Sequence, residues 1–299
     1  MAPTDRAPRP RPVPAASKGR RQENFPVASI LIKASLRPHV HAFYDFARAA
    51  DDIADDPDLA AADKIRGLDA FARALDGGKP EPAAPGDRDI DTGPAKALAG
   101  SLAETGVAPR HATDLLAAFR QDATKHRYAD WHEVMAYCRL SAAPCGRYLL
   151  ALHGEEDVEA RKAADALSAA LQVINHIQDM AADYRRLDRV YVPMDWLADE
   201  ALDPDALGAD AASPALRRVI DRMLDGVEGL IDDARGLPAA IDDARLAAEA
   251  GVILAVARGL ARKLRRRDPL AQRVSLNPLE FAAVAVIGVM CTVAQRLGR

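Results

Sequence analysis

From residue 26 to the C-terminus the chain reads as one helical pattern after another, and no segment alternates apolar and polar residues as a half-buried strand would. The spacing predicts helices near 26–34, 37–55, 60–76, 94–104, 108–123, 130–152, 156–184, 213–236, 240–264 and 277–297. Residues 77–94, GGKPEPAAPGDRDIDTGP, predict a loop, and a second break is expected over 185–212, around Tyr191, Pro193 and Pro204. Composition points the same way: hydrophobic residues make up 49% of the chain but aromatics only 5%, and alanine- and leucine-rich runs favour helix. No linker-like shift in composition and no solenoid repeat interrupts the pattern, so one large all-α domain over 23–299 is expected. A chain of 299 residues is long enough for a substantial core, burying about 75% of its unfolded surface.

The ends and the cysteines restrict function. Residues 1–22 are rich in Pro and Arg, carry no apolar periodicity and lack the apolar centre of a secretory signal. They read as a disordered basic tail, either simply solvated or in weak contact with anionic lipid or a partner protein. Cys138, Cys145 and Cys291 show no metal-ligand spacing and are expected to be buried thiols of a reducing, cytoplasmic compartment. The apolar run FAAVAVIGVMCTVA, 281–294, is shorter than a membrane span and predicts a buried terminal helix, with peripheral membrane contact as the alternative. A net charge of −4 and a pI near 6.0 give no general attraction to nucleic acid.

The chemistry lies in two segments. In FYDFARAADDIAD, 43–55, helical geometry puts Tyr44, Arg48, Asp51 and Asp55 within an arc of about 60°, while Phe43, Phe46, Ala47, Ala50 and Ile53 cover the other sides. Asp52 sits at the edge of that stripe, and Asp56 and Asp58 fall further toward solvent. In LQVINHIQDMAADYRR, 171–186, the same construction lines up Gln172, His176, Asp179 and Asp183, with Asn175 flanking, on a helix otherwise apolar. Ionised aspartates on a mostly buried helix are costly unless paired or metal-bound. Adjacent acidic pairs elsewhere, Asp232–Asp233 and Asp242–Asp243, read as solvated charge at helix ends.

If the two stripes face one another, four carboxylates converge. Oxygen-only donors suit Mg²⁺, which takes one or two carboxylates, keeps several waters and completes its shell with substrate phosphate. Such a site neutralises the charge that develops on a departing diphosphate, and apolar walls hold the carbocation left behind. A calcium loop fits poorly, because Asp51–Asp58 has neither the glycine nor the terminal glutamate that loop requires. Arg48, Arg185, Arg186, Arg189, Lys125 and Arg127 are the nearby cations available for phosphate.

These residues resemble the squalene/phytoene synthase family over about 23–290. ENFPVAS at 23–29 is similar to its opening segment, FYDFARAADDIAD to its first aspartate motif, YCRLSAAPCG at 137–146 to its central segment, and QVINHIQDMAADYRRLDRVYVP at 172–193 to its second motif. Asp122 matches a further polar position. Two departures stand out: Ser141-Ala142-Ala143-Pro144 replaces the usual Val-Ala-Gly, and Asp188 replaces the usual glycine before the Arg-x-Tyr-x-Pro tract. KASLRPHVHAFYDFARAADDIADD, FRQDATKHRYADW and YCRLSAAPCGR look most like the hydroxysqualene synthase branch of the hopanoid pathways.

The resemblance implies an isoprenoid-synthase-like bundle around a central apolar cavity. It implies Mg²⁺, or alternatively Mn²⁺, on Asp51, Asp55, Asp179 and Asp183, and no need for nicotinamide. By the same resemblance Arg48 and Arg189 bind diphosphate oxygens, and Tyr44, Tyr137 and Phe25 line the cation pocket. Ser141 and Tyr191 join the substrate-binding set. Gln172 and Asn175 orient metal, diphosphate or water, with Ser141 or His176 delivering the quenching water. The implied substrate is a prenyl diphosphate. Presqualene diphosphate synthase upstream and hydroxysqualene dehydroxylase downstream are the implied partners. Head-to-head condensation of prenyl diphosphates is the alternative reaction. A terpene cyclase would carry a different second motif, and a non-enzymatic scaffold would tend to lose aspartates that are retained here.

Overall fold

The computed structural model describes residues 31–78 and 90–298, and every regular element in it is helical. In chain order the α-helices are α1 (Arg37–Ala54), α2 (Ala61–Leu75), α3 (Gly93–Thr105), α4 (Arg110–Asp122), α5 (Trp131–Ser141), α6 (Ala143–Leu152), α7 (Val158–Leu187), α8 (Met194–Asp199), α9 (Pro214–Asp233), α10 (Leu237–Ala240), α11 (Ala244–Leu264) and α12 (Pro278–Leu297), with short 3-10 turns at Pro204–Gly208 and Ala234–Gly236. Local chemistry sets many of the starts. Asp130, Asp157, Ser213 and Asp243 cap α5, α7, α9 and α11 by accepting backbone N–H groups, and Asn277 with Glu280 forms a reciprocal capping box on α12.

The long helix α7 is the spine. It packs against α5, α6, α9 and α11, while α1 packs against α2, α3 and α4. Gly146 lets α6 approach α7 closely, because a Cβ there would lie 2.7 Å from Ser168 Oγ on α7. Phe43 of α1 stacks on Tyr148 of α6, with ring centroids 4.1 Å apart, and this contact ties the two groups of helices together.

Five expectations change. The helix expected over 26–34 is absent from its described part: residues 31–36 form turns, and 26–30 lie outside the described residues, as do the tail 1–22 and Phe25. The helix expected over 130–152 is two, broken at Ala142 (φ −121°, ψ −48°). Pro144 causes the break, since it has no N–H to donate back into α5 and restricts the residue before it. The break expected over 185–212 contains the helix α8, fixed by Trp196 stacked on Trp131. Of the three cysteines only Cys138 is buried; Cys145 and Cys291 are on outward faces of α6 and α12. Finally, α12 is not a buried helix. It runs for 20 residues, long and apolar enough to span a bilayer, with one face on α11 and the other uncovered.

Candidate active site

The stripe on α1 forms as its periodicity predicts. Tyr44, Arg48, Asp51 and Asp55 are all half-buried, whereas Phe43, Phe46, Ala50 and Ala54 are sealed in the core. Arg48 bridges two carboxylates, donating to Asp51 Oδ2 at 2.8 Å and to Asp52 Oδ1 at 2.6 Å. Burial and the neighbouring Asp55 raise the Asp51 carboxyl well above the usual range, and Arg48 pulls it back. A third of its side-chain surface stays accessible, so solvent still screens it.

On α7, Gln172, Asn175, Asp179 and Asp183 are half-buried among fully buried Val173, Ile174, Ile177 and Met180. His176 keeps its contact with Gln172 of the stripe but is buried. Its ring lies 3.7 Å from that of Tyr191, its Nε2 is 3.0 Å from Gln172 Nε2, and its buried Nδ1 has no hydrogen-bond partner. Burial and Arg189 lower its pKa to about 3, so it is a neutral ring.

Between the two stripes sits a sealed polar cluster centred on Asp122, at the end of α4. Tyr137 from α5 donates to its Oδ2 at 2.6 Å, and Tyr191 donates to its Oδ1 at 2.9 Å. Arg189, only 5% exposed, donates to Tyr191 Oη, to the Asp122 carbonyl and, at 2.8 Å, to Asp55 Oδ1. The tract that follows the second motif therefore reaches the first. Burial raises the Asp122 pKa to about 6 against the opposing effects of Arg189 and the two tyrosines. Burial also works against the charge on Arg189, but Tyr191, Asp122 and Asp55 outweigh it and keep it protonated.

Backbone geometry delivers Arg189 to this position. Asp188 ends α7 in the left-handed region, at φ 51°, where a glycine is the residue of least strain. Arg127 compensates by holding both the Asp188 carboxylate and its backbone carbonyl, and the Val190 N–H donates to the His126 carbonyl at 2.9 Å. Several of the cations named for phosphate are paired with protein groups: Arg127 with Asp188, Lys125 with Glu133 and the Tyr128 ring, and Arg185 with the carbonyls of Gly208 and Ala209.

Ser141 lies at the α5–α6 break with its buried Oγ unpartnered. Lys64 escaped the sequence reasoning altogether. It donates to the Ala54 carbonyl at 2.8 Å from the first turn of α2, and burial followed by Arg189 lowers its pKa. Nothing in its local sequence signals that position, which depends on how α2 folds back on α1.

For a divalent ion the donor chemistry fits: carboxylate oxygens, half-accessible, on two stripes otherwise walled by apolar side chains. Among the described residues no three His, Cys, Asp or Glu side chains converge to hold a metal by themselves. A site that takes part of its shell from water and substrate phosphate needs no such cage. A cavity of about 430 Å³ beside Arg110, His111 and Arg147 shares no residue with either stripe.

A single all-helical bundle presenting such stripes has the isoprenoid-synthase fold. Residues 19–280 match the squalene/phytoene synthase family, and the chain belongs to that family. It is 45% identical over 276 residues to a hydroxysqualene synthase from Rhodopseudomonas palustris, covering 92% of this chain and 90% of the relative. It is 41% identical over 283 residues to one from Sinorhizobium fredii, covering 95% and 93%. The crystal structure of the squalene synthase HpnC from Alicyclobacillus acidocaldarius superposes with a TM-score of 0.67 at 31% identity, covering 80% of this chain and 87% of that one.

Proposed function

We propose that the protein is a hydroxysqualene synthase, converting presqualene diphosphate and water to hydroxysqualene and diphosphate. One observation carries the reading: Arg189, from the tract that follows the second motif, binds Asp55 of the first motif, which supports a single site shared by the two motifs. The similarity to hydroxysqualene synthases at 41–45% identity supplies the reaction.

Asp51, Asp55, Asp179 and Asp183 would hold Mg²⁺, or Mn²⁺ in its place, which when bound neutralises charge on the leaving diphosphate. Arg48 and Arg189 set the positive edge of that site, with Arg48 already spanning Asp51 and Asp52. Tyr44 and the apolar walls face the cation, Gln172 and Asn175 orient polar groups along α7, and the Asp122–Tyr137–Tyr191 cluster fixes Arg189. As the carbon–oxygen bond to diphosphate breaks, its electron pair leaves with the diphosphate. After the cation rearranges, a water oxygen bonds to carbon and loses a proton. The change is redox-neutral, so no hydride donor enters. Ser141 Oγ, buried without a partner, supports its assignment as the hydroxyl that positions this water. A presqualene diphosphate synthase would supply the substrate, and a hydroxysqualene dehydroxylase would consume the product.

The test is incubation with presqualene diphosphate and Mg²⁺, without nicotinamide, followed by mass spectrometry. Hydroxysqualene is the expected product. Consumption of farnesyl diphosphate with presqualene diphosphate left untouched would replace this reading with head-to-head condensation. Asp51→Ala and Asp179→Ala should each abolish turnover with helicity retained, and an active Asp179→Ala variant overturns the metal assignment.

A further inference from the structure

Of the exposed large hydrophobic side chains among the described residues, all but Val158 lie on α12: Leu279, Val286, Ile287, Met290, Val293 and Leu297. Each is at least 50% exposed, an apolar surface that soluble monomers rarely leave open without use. No charged residue stands between Glu280 and Arg296. Both of these are tied to the body of the protein, Glu280 to Lys263 at 2.5 Å and Arg296 to the carbonyls of Ile241 and Asp242.

The inner face of α12 is keyed to α11. A Cβ on Gly288 would lie 2.5 Å from the Gly251 carbonyl oxygen, and one on Gly251 would lie 2.0 Å from Thr292 Oγ1. Two helices in backbone contact along this seam cannot separate without opening the close approach of Gly288 to Gly251 and Val252. The helix therefore offers its outer half in place, which suits lying on a bilayer rather than crossing one.

Charge decides the partner. Beside the seam runs a groove of about 150 Å³ lined by Ile287, Cys291 and Gln295 of α12 and by Arg258 and Arg262, one turn apart on α11. Neither guanidinium has a hydrogen-bond or ion-pair partner among the described residues, whereas their neighbour Arg265 is held by Asp221, Asp225 and Glu228. No acidic side chain lines the groove. A second copy docked through this face would bring two sets of arginines to one rim with no carboxylate between them, which opposes pairing. An anionic membrane surface supplies the missing charge and the apolar phase together.

We propose that this face docks flat on an anionic phospholipid bilayer, α12 sinking its outer side chains into the acyl boundary and Arg258 and Arg262 binding lipid phosphates. The inference stands whichever prenyl diphosphate the enzyme uses.

Vesicle co-sedimentation of the full chain tests it, using phosphatidylcholine with and without phosphatidylglycerol. Binding is expected to the anionic vesicles and to weaken as salt rises. Ile287→Asp with Met290→Asp should weaken it about tenfold or more, and Arg258→Gln with Arg262→Gln should remove most of the preference for phosphatidylglycerol. Circular dichroism melts establish that the variants fold; Ile287, Met290 and Arg262 are exposed and Arg258 half-buried, so the melts should stay close to the parent. The proposal fails if the parent does not bind, or if folded variants bind unchanged, which would place the contact in the basic tail. It also fails if light scattering shows a dimer that Ile287→Asp dissociates.

Discussion

Arg189 Nη1 donates to Asp55 Oδ1 at 2.8 Å across 134 residues of sequence, and the same side chain bonds Tyr191 Oη and the Asp122 carbonyl. One buried cation therefore joins α1, α4 and the tract after α7. Replacing it with Gln leaves Asp122 sealed without its cation, a loss of about 3 kcal/mol for a broken buried pair. Lysine can restore a single bond but not the fork. Denaturant midpoints should fall in the order wild type, Arg189→Lys, Arg189→Gln, with turnover falling in parallel. Equal midpoints for all three would show that the cluster contributes no stability.

Asp122 depends equally on its tyrosines. In Tyr137→Phe the Oδ2 atom loses its 2.6 Å donor inside a cluster closed to solvent. Leaving a buried acceptor unpaired costs about 1–3 kcal/mol, and Tyr191→Phe should cost a similar amount through Oδ1. Because both hydroxyls meet one carboxylate and lie 3.3 Å apart, the double variant should depart from additivity. A double-mutant cycle by chemical denaturation measures that coupling, and strict additivity would refute the shared-acceptor account.

The stripes on α1 and α7 were legible because burial follows the 3.6-residue period: the core seals most residues placed on the apolar faces, from Phe43 to Met180, while Ala47 and Ile53 are only partly buried. Angle placed His176 beside Gln172, which it meets, but could not register the Tyr191 ring 3.7 Å away on a different segment. The division at Ala142 was hidden by an apolar period running unbroken across Pro144, although the proline itself carried the signal. The open face of α12 could not be read, because a helix apolar all round looks the same whether the chain or something else covers it. The Arg189–Asp55 pair belongs to tertiary structure, and no local pattern encodes a contact over that separation.

Asp188 offers a test of backbone strain. At φ 51° a non-glycine residue carries a cost of about 1–2 kcal/mol, offset here by an exposed pair with Arg127 worth at most about 1 kcal/mol. Asp188→Gly removes both terms and should be nearly neutral in thermal melts. Asp188→Ala keeps the strain, loses the pair and should melt lower than either. An alanine variant as stable as the glycine one would show that φ imposes no cost at this position.

Buried titratable groups set opposing pH dependences. Burial first, then Arg110, Arg147 and Arg161, lowers the His111 pKa to about 4, below its unfolded value of about 6.5. The unfolded chain therefore takes up a proton first as pH falls through 6.5, and His111 costs stability progressively down to about pH 4. His176, lowered to about 3, acts in the same direction. Asp122 acts in reverse. Its folded pKa of about 6 exceeds the unfolded value, so the native state holds the proton first, and stability is gained as pH falls from 6 toward 4. The two histidines outweigh Asp122, so the parent should lose stability toward acid, with Asp122 offsetting part of the loss. His111→Gln removes one destabilising slope, worth about 2 kcal/mol or less at pH 5, and should make the protein relatively more stable in acid. Asp122→Asn removes the compensating slope and should steepen the acid loss. Urea midpoints measured from pH 4 to 7.5 for the three proteins decide it: parallel profiles would mean that neither group changes protonation on unfolding.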